Sequence, residues 1–565
     1  MGRTLGCALL AFALACGGDI GQSGGPDGDS PASDPGSNDV GDGDATGDGA
    51  GDGDGDGTID SSDDPDAPYV ASDSVARRLT RAELDNALRD LLGDTARAAT
   101  TLLPEDPFSP YDNDYTGQAA SGALIDSFSS LADDVAARIV SDPDLLSGMM
   151  PCTPSGPGDS ACFRQLVEQL TQRAFRRPME TSELDVYMAL LDFATEDNPD
   201  VDNDFDTAVE LLLRAVIMDP EFLYRVEAGE PTDDDRIFQL NDYEIATRMS
   251  FLLWGTIPDD ALWADAEAGR LTDAEGRRSV LTRMREDPRA LEQLRRFHAM
   301  WLGYRVIPHS PELTAAFNRE TGALIDRSVS EGSYLDLFTS DETFIDDTLA
   351  AHYDLPAPGT ETWVSYGDSG RAGLLSHGSF LSAFGKFTDT SPTQRGILIR
   401  TRLLCQEIPP PPPDVMADQP PGDDDALCKY DRYEQHRSSP SCNGCHGQMD
   451  PIGFGLENYD LAGRFREHDD GLPDCTIEGQ GEVPPYGSFS GPAELAQLLI
   501  DSGELERCVT SQFFSFAVGR ELKANEEQAV DALTEDFVGA GTAFGELLEA
   551  YVSSEAFGLR KEPEL

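Results

Sequence analysis

The run Cys442-Asn443-Gly444-Cys445-His446 is the part of this sequence whose residue types and spacing point most directly to chemistry. Cysteines three apart share one face of a helix, so both thiols can bond the vinyl groups of one haem. The histidine that follows can then rise over the porphyrin plane and reach the iron. Pro440 before the run and Pro451 after it suit a short helix. Two other chemistries use the same residues. Cys442 and Cys445 can form a structural or redox-active disulfide, with His446 as a neighbour that lowers a thiol pKa. They can also be half of a zinc site completed by Cys428 or Cys475, although zinc ordinarily takes a second tight ligand pair and none is present. A thioredoxin-like role calls for a βαβ context, which the pattern lacks. The leading reading is one covalent haem c, with Cys442, Cys445 and His446 as its attachment points and His446 as proximal iron ligand.

The sixth iron position is less constrained. No methionine follows Met449, which lies three residues from His446 on the same helix and so shares its face. The remaining candidates are His468, the only later histidine, and upstream residues such as Met416 or His436. Bis-histidine ligation through His468 is slightly favoured over an open position.

The other cysteines speak to compartment. Setting aside Cys7 and Cys16, the chain holds eight, and outside the cytoplasm such thiols are expected to be paired or bound. Cys152 and Cys162 enclose a short Pro/Gly/Ser loop and are expected to form a disulfide. Cys405, Cys428, Cys475 and Cys508 allow three pairings that spacing cannot separate. The N-terminus agrees with export: Arg3 precedes a short apolar run, Leu5 to Ala15, and Ala13-Leu14-Ala15-Cys16 resembles a lipoprotein box with its leucine one position late. Cys16 is therefore the expected lipidated first residue of a protein held at the cell envelope, periplasmic or at the cell surface. An ordinary cleaved signal is the alternative.

Between Arg3 and Arg77 there is no lysine, arginine or glutamate, only a Gly/Asp-rich tract that cannot bury enough apolar surface to fold. Asp52, Asp54, Asp56, Gly57, Ile59, Asp60 and Asp63 fall at calcium-loop spacing. Without flanking helices a Gly-Asp repeat explains them better, and calcium binding is not expected. The net charge of −64 excludes nucleic acid as a partner. It also leaves membrane contact to a lipid anchor alone, with a redox partner protein as the expected associate.

From Arg77 onward the apolar residues follow helical periodicity, and the 565-residue chain is long enough for several domains. Thr80 and Gly93 bracket a helix with Leu84, Leu88, Leu91 and Leu92 on one face. Further helical stretches are expected over 124–150, 163–193, from Ala208, over 241–253, over 280–302, and from about Ala493 to Phe557. Phe297-His298-Ala299-Met300-Trp301 reads as a packed helix face. Pro409 to Pro413 predicts an extended arm leading to the cysteine motif. The expected fold is mainly α: several small helical bundles packed together, a Cys-x-x-Cys-His module and a disordered acidic N-terminal stalk. The expected segments are an export signal over 1–16, a linker over 17–70, helical modules over 71–148, 149–228 and 229–365, the cytochrome-like module over 366–470 and a last helical module over 471–565.

Several of these runs resemble one known family. Arg78-Leu79-Thr80-Arg81-Ala82-Glu83-Leu84, with Asn86 and Arg89 to Gly93, looks like the N-terminal module of planctomycete-type exported cytochrome-like proteins, which are assembled from consecutive domains of unknown function. Ala174-Phe175-Arg176-Arg177-Pro178 resembles their second module. Asp219 to Arg225, Leu240 to Glu244 and Ser250 to Trp254 resemble their third. Ser391 to Gly396, the proline arm, and Cys442 through Arg466, including Met449-Asp450-Pro451-Ile452-Gly453-Phe454, resemble the fourth. Phe516 to Arg520 and Ser553 to Phe557 resemble the last. The resemblance spans residues 75–560 in the family's order. It implies secretion and a cytochrome-like character and supplies no reaction. The rival function is a surface structural or binding protein in which Cys442 and Cys445 form a disulfide.

Overall fold

Thr80 begins the first helix as its neighbours require. Its hydroxyl accepts from the Glu83 N–H at 3.2 Å, while the Glu83 carboxylate accepts from the Thr80 N–H at 2.8 Å. The helix Arg81–Leu92 ends at Gly93, whose φ of +74° a side chain would resist. The computed structural model describes residues 68–107, 110–196, 204–383, 385, 389–409 and 428–563. Cys16, the Asp52 to Asp63 spacing, Met416 and most of the proline arm lie outside the described residues.

The described residues are mainly helical, with twenty-four α-helices and eleven short strands in five small sheets. The long periodic stretches divide where a helix-capping residue meets proline. Residues 124–150 form Gly122–Ser141 and Pro143–Met149, with Asp142 capping the second helix and Pro143 at its first turn. Residues 280–302 fall in Ala274–Glu286 and Pro288–Trp301, parted at Asp287-Pro288 in the same way. Proline has no N–H to continue the first helix, and its fixed φ suits the start of the next. Residues 163–193 divide into Ser160–Phe175 and Thr181–Thr195 at Arg176, whose φ is +62°.

Packing corrects the expectation of several small bundles. The described residues collect most of their buried apolar side chains in two cores. One runs from Leu79 to Ile257. The other reaches from Tyr111 through Trp301, Tyr334 and Ile452 to Phe557. Sequence modules therefore share cores. Strand pairs also tie distant segments together: Arg77–Arg78 pairs with Tyr224–Arg225, and Leu559–Lys561 pairs with Ile237–Gln239.

His298 is fully buried within the second core. Its Nδ1 lies 2.7 Å from the Leu294 carbonyl and its Nε2 2.7 Å from the Tyr334 hydroxyl, and burial pulls its pKa down to about 4. The Phe297 to Trp301 run is core. Three disulfides link Cys152 to Cys162, Cys405 to Cys508 and Cys428 to Cys475. No helix among the described residues is long and apolar enough to cross a membrane.

Candidate functional site

The cysteine motif sits in the first turns of the helix Pro440–Phe454, with Pro440 at its start. Pro451 lies inside this helix rather than ending it, so the motif helix is longer than its prolines suggested. A shorter helix, Pro392–Leu398, lies against it at backbone contact. A Cβ at Gly396 would fall 2.0 Å from the Met449 carbonyl oxygen, and one at Gly453 would fall 1.9 Å from that of Pro392. Arg400 secures the pair, donating from Nε to the Gln448 carbonyl at 2.8 Å.

Cys442 and Cys445 are the free cysteines among the described residues, both half-buried. One turn on from His446, Asp450 is buried, and its side chain gathers three donors. His446 Nδ1 lies 3.1 Å from each carboxylate oxygen, His436 Nδ1 lies 3.2 Å from Oδ2, and the Thr393 hydroxyl donates at 2.7 Å. Burial pushes the Asp450 carboxyl up. The hydrogen bonds from His436, His446 and Thr393 outweigh it and hold the group below its ordinary range. The His436 and His446 rings stack, their centroids 3.7 Å apart and their planes at 29°. Tyr433, itself buried, packs edge to face against His436 at 5.0 Å.

A second buried carboxylate supports this floor. Glu457 lies 3.1 Å from Arg395, 3.2 Å from Lys429 and 3.0 Å from Arg466, and it accepts from the Thr390 hydroxyl at 2.6 Å. Burial again raises its pKa, and the three cations pull it below the usual range. Arg395 also donates to the carbonyls of Leu456 and Tyr459, fixing the chain where it leaves the motif helix.

The residues present fit a covalently attached haem. Two unpaired thiols lie one helical turn apart in a chain whose other described cysteines are all in disulfides. With Nδ1 of His446 held by Asp450, the atom left for iron is Nε2. The same geometry also brings His436, His446 and Asp450 together as a possible ligand set for a metal ion, their candidate ligand atoms within 4.8 Å of one another. His468 is not in this group. It is exposed on the strand His468–Asp469, paired with Thr476, and lines a separate cavity of about 500 Å³ with Phe465, Glu467 and Glu478. Cys152 and Cys162, disulfide-bonded, belong to the first core.

Asp450 could have been found from the sequence, since it stands four residues after His446 on one helix. His436 carries no such signal. It arrives through the short helix Glu434–Ser438, downstream of the Cys428–Cys475 bond.

Five family models match in order along the chain. Residues 77–141 match Protein of unknown function (DUF1587), 162–227 match DUF1595, 240–355 match DUF1592, 371–469 match DUF1588 and 487–557 match DUF1585. The helix pair, both histidines and both buried carboxylates fall within the DUF1588 match. No curated protein and no solved structure matches the chain. With all five modules present in sequence, the chain belongs to the planctomycete-type cytochrome-like multidomain family.

Proposed function

We propose that this chain is an exported cell-envelope protein carrying one covalent haem c, and that it serves electron transfer or haem redox chemistry. The observation that carries the reading is the state of the motif: Cys442 and Cys445 unpaired on one helix, beside a His446 whose Nδ1 is already bonded to a buried carboxylate. Cys442 and Cys445 form the thioether links, and His446 ligates iron through Nε2. Asp450 orients that ring, and Glu457 with its three cations keeps the surrounding backbone in place. When bound, the haem supplies a one-electron couple. Anchoring is through a lipidated Cys16, and the partner is a redox protein that meets the exposed edge of the motif, where Asn443 and Gly444 face solvent.

The test is a pyridine haemochrome spectrum of the full chain produced in a host with haem-attachment machinery. Haem that survives acid–acetone extraction is expected. Absence of covalent haem, with Cys442 and Cys445 recovered in one disulfide-linked peptide, would instead establish the surface binding protein. Spectra with and without carbon monoxide, on wild type and His468→Ala, assign the sixth position. Mass spectrometry of membrane-extracted protein should show a diacylglyceryl mass on Cys16.

A further inference from the structure

We propose that His436 is a positioning residue on the same side of the haem as His446, sharing the Asp450 carboxylate with it, and not the sixth iron ligand. The inference rests on the haem reading above.

Both Nδ1 atoms point at one carboxylate, and the rings stack 3.7 Å apart at 29°. In an imidazole the Nε2 lone pair points away from the Nδ1–H, so both Nε2 atoms lie on the side of their rings remote from the shared carboxylate. A pair of axial ligands needs the opposite arrangement, with lone pairs facing each other across the iron. Tyr433 also packs edge to face against His436, which restricts the turning of that ring.

The consequence is electronic as well as steric. A carboxylate accepting from the proximal N–H makes the imidazole a stronger donor to iron and stabilises the ferric state. Asp450 divides this acceptance between His446, His436 and Thr393. His436 therefore does two things: its ring fixes the plane of His446, and its N–H draws part of the carboxylate's charge away from His446.

The experiment is redox titration and low-temperature EPR of the full-length haem-loaded protein, comparing wild type, His436→Ala, His436→Gln and Asp450→Asn. The expected result is undiminished covalent haem in His436→Ala, with a lower midpoint potential and altered EPR g-values. His436→Gln, which keeps a donor, should move the potential back toward wild type, and Asp450→Asn should raise it. Two-bond 1H–15N spectra of the haem-free chain should show both rings as the Nδ1–H tautomer. An unchanged potential and EPR spectrum in His436→Ala would overturn the inference while leaving the haem reading intact. So would conversion of that variant from a low-spin to a high-spin iron, which would make His436 a ligand. A wild type without covalent haem would overturn both.

Discussion

Buried charge does different work in the two halves of this molecule. In the core from Leu79 to Ile257, Glu83, Asp85 and Arg176 are directed at helix ends. Glu83 accepts from the Thr80 N–H, Asp85 accepts from the N–H groups of Ala99 and Thr100, and Arg176 donates to the carbonyls of Ala174, Phe222 and Tyr224. These groups complete backbone hydrogen bonding that a helix cannot complete for itself. Around the motif helix, Asp450 and Glu457 are instead surrounded by other side chains: two imidazoles and a hydroxyl for one, three cations and a hydroxyl for the other. Such clusters carry a desolvation cost that a simple cap avoids. A region that bears this cost beside two free thiols is the natural place to look for chemistry.

The sharpest way to break this contrast is to remove one cysteine pair from each region. Cys442→Ala with Cys445→Ala should abolish covalent haem, read by haemochrome spectroscopy, and leave the fold intact by circular dichroism. Cys152→Ala with Cys162→Ala should keep haem and cost about 2–3 kcal/mol of stability, the loop-closure contribution of a short disulfide. Haem retained in the first variant would sink the assignment of the motif.

Glu457→Gln should have the next largest effect, about 3–5 kcal/mol in denaturant unfolding at neutral pH, because Arg395, Lys429 and Arg466 lose their common counter-charge. Glu83→Gln, at a helix cap, should lose only about 1 kcal/mol. Their order decides whether the two kinds of buried charge differ as described. The folded Glu457 pKa lies below its unfolded value. Its contribution is therefore present at neutral pH and is lost as pH falls through that depressed value.

Glu320 sharpens the same contrast from the opposite side. It is fully buried and accepts from Thr343 at 2.6 Å and Tyr353 at 2.7 Å, with His377 Nε2 3.6 Å away. Burial pushes its pKa up to about 7. Between the ordinary carboxylate range and pH 7 the folded chain holds a proton that the unfolded chain has released, so stability falls as pH rises through that window. The loss is about 3 kcal/mol, at 1.4 kcal/mol for each unit of pKa. His377, which burial pulls down to about 3, gives the opposite slope below its unfolded pKa. The difference between wild type and Glu320→Gln isolates the carboxyl. That difference should vary across pH 4.5–7 and be flat above; no variation would mean that Glu320 is not buried as a neutral acid.

What was legible in the sequence was local. Thr80, Glu83 and Gly93 bracket their helix by rules that need no tertiary information, and Cys442, Cys445 and His446 carry their own spacing. Periodicity ran straight through Asp142-Pro143 and Asp287-Pro288, because an apolar stripe continues in phase even where the backbone breaks. The sharing of two cores was not legible, since an apolar face does not name the face that covers it. In the sequence His436 is only one candidate iron ligand, and its sharing of Asp450 with His446 was hidden for a similar reason. Its place beside His446 follows from how the chain returns after Cys428, whereas sequence order alone drew attention to His468, which sits on an exposed strand.

A glycine in each region gives effects of opposite sign. At Gly453 the motif helix meets backbone, and an added Cβ would fall 1.9 Å from the Pro392 carbonyl oxygen. Backbone cannot swing aside as a side-chain tip can, so Gly453→Ala should force the helix Pro392–Leu398 away. It should cost about 1–3 kcal/mol, in the range of core overpacking. Because Thr393 on that helix donates to Asp450, the same change should also disturb the carboxylate shared by His436 and His446. Gly148, in the helix Pro143–Met149, has nothing within 4 Å of its would-be Cβ. Gly148→Ala should therefore stabilise the chain by up to about 1 kcal/mol, through the lower backbone entropy of the unfolded state. Thermal unfolding of the two variants gives the signs, and the haem spectrum should change for Gly453→Ala alone. A neutral Gly453→Ala would show that the two helices do not meet at backbone contact, removing the rigid floor on which the placement of Asp450 depends.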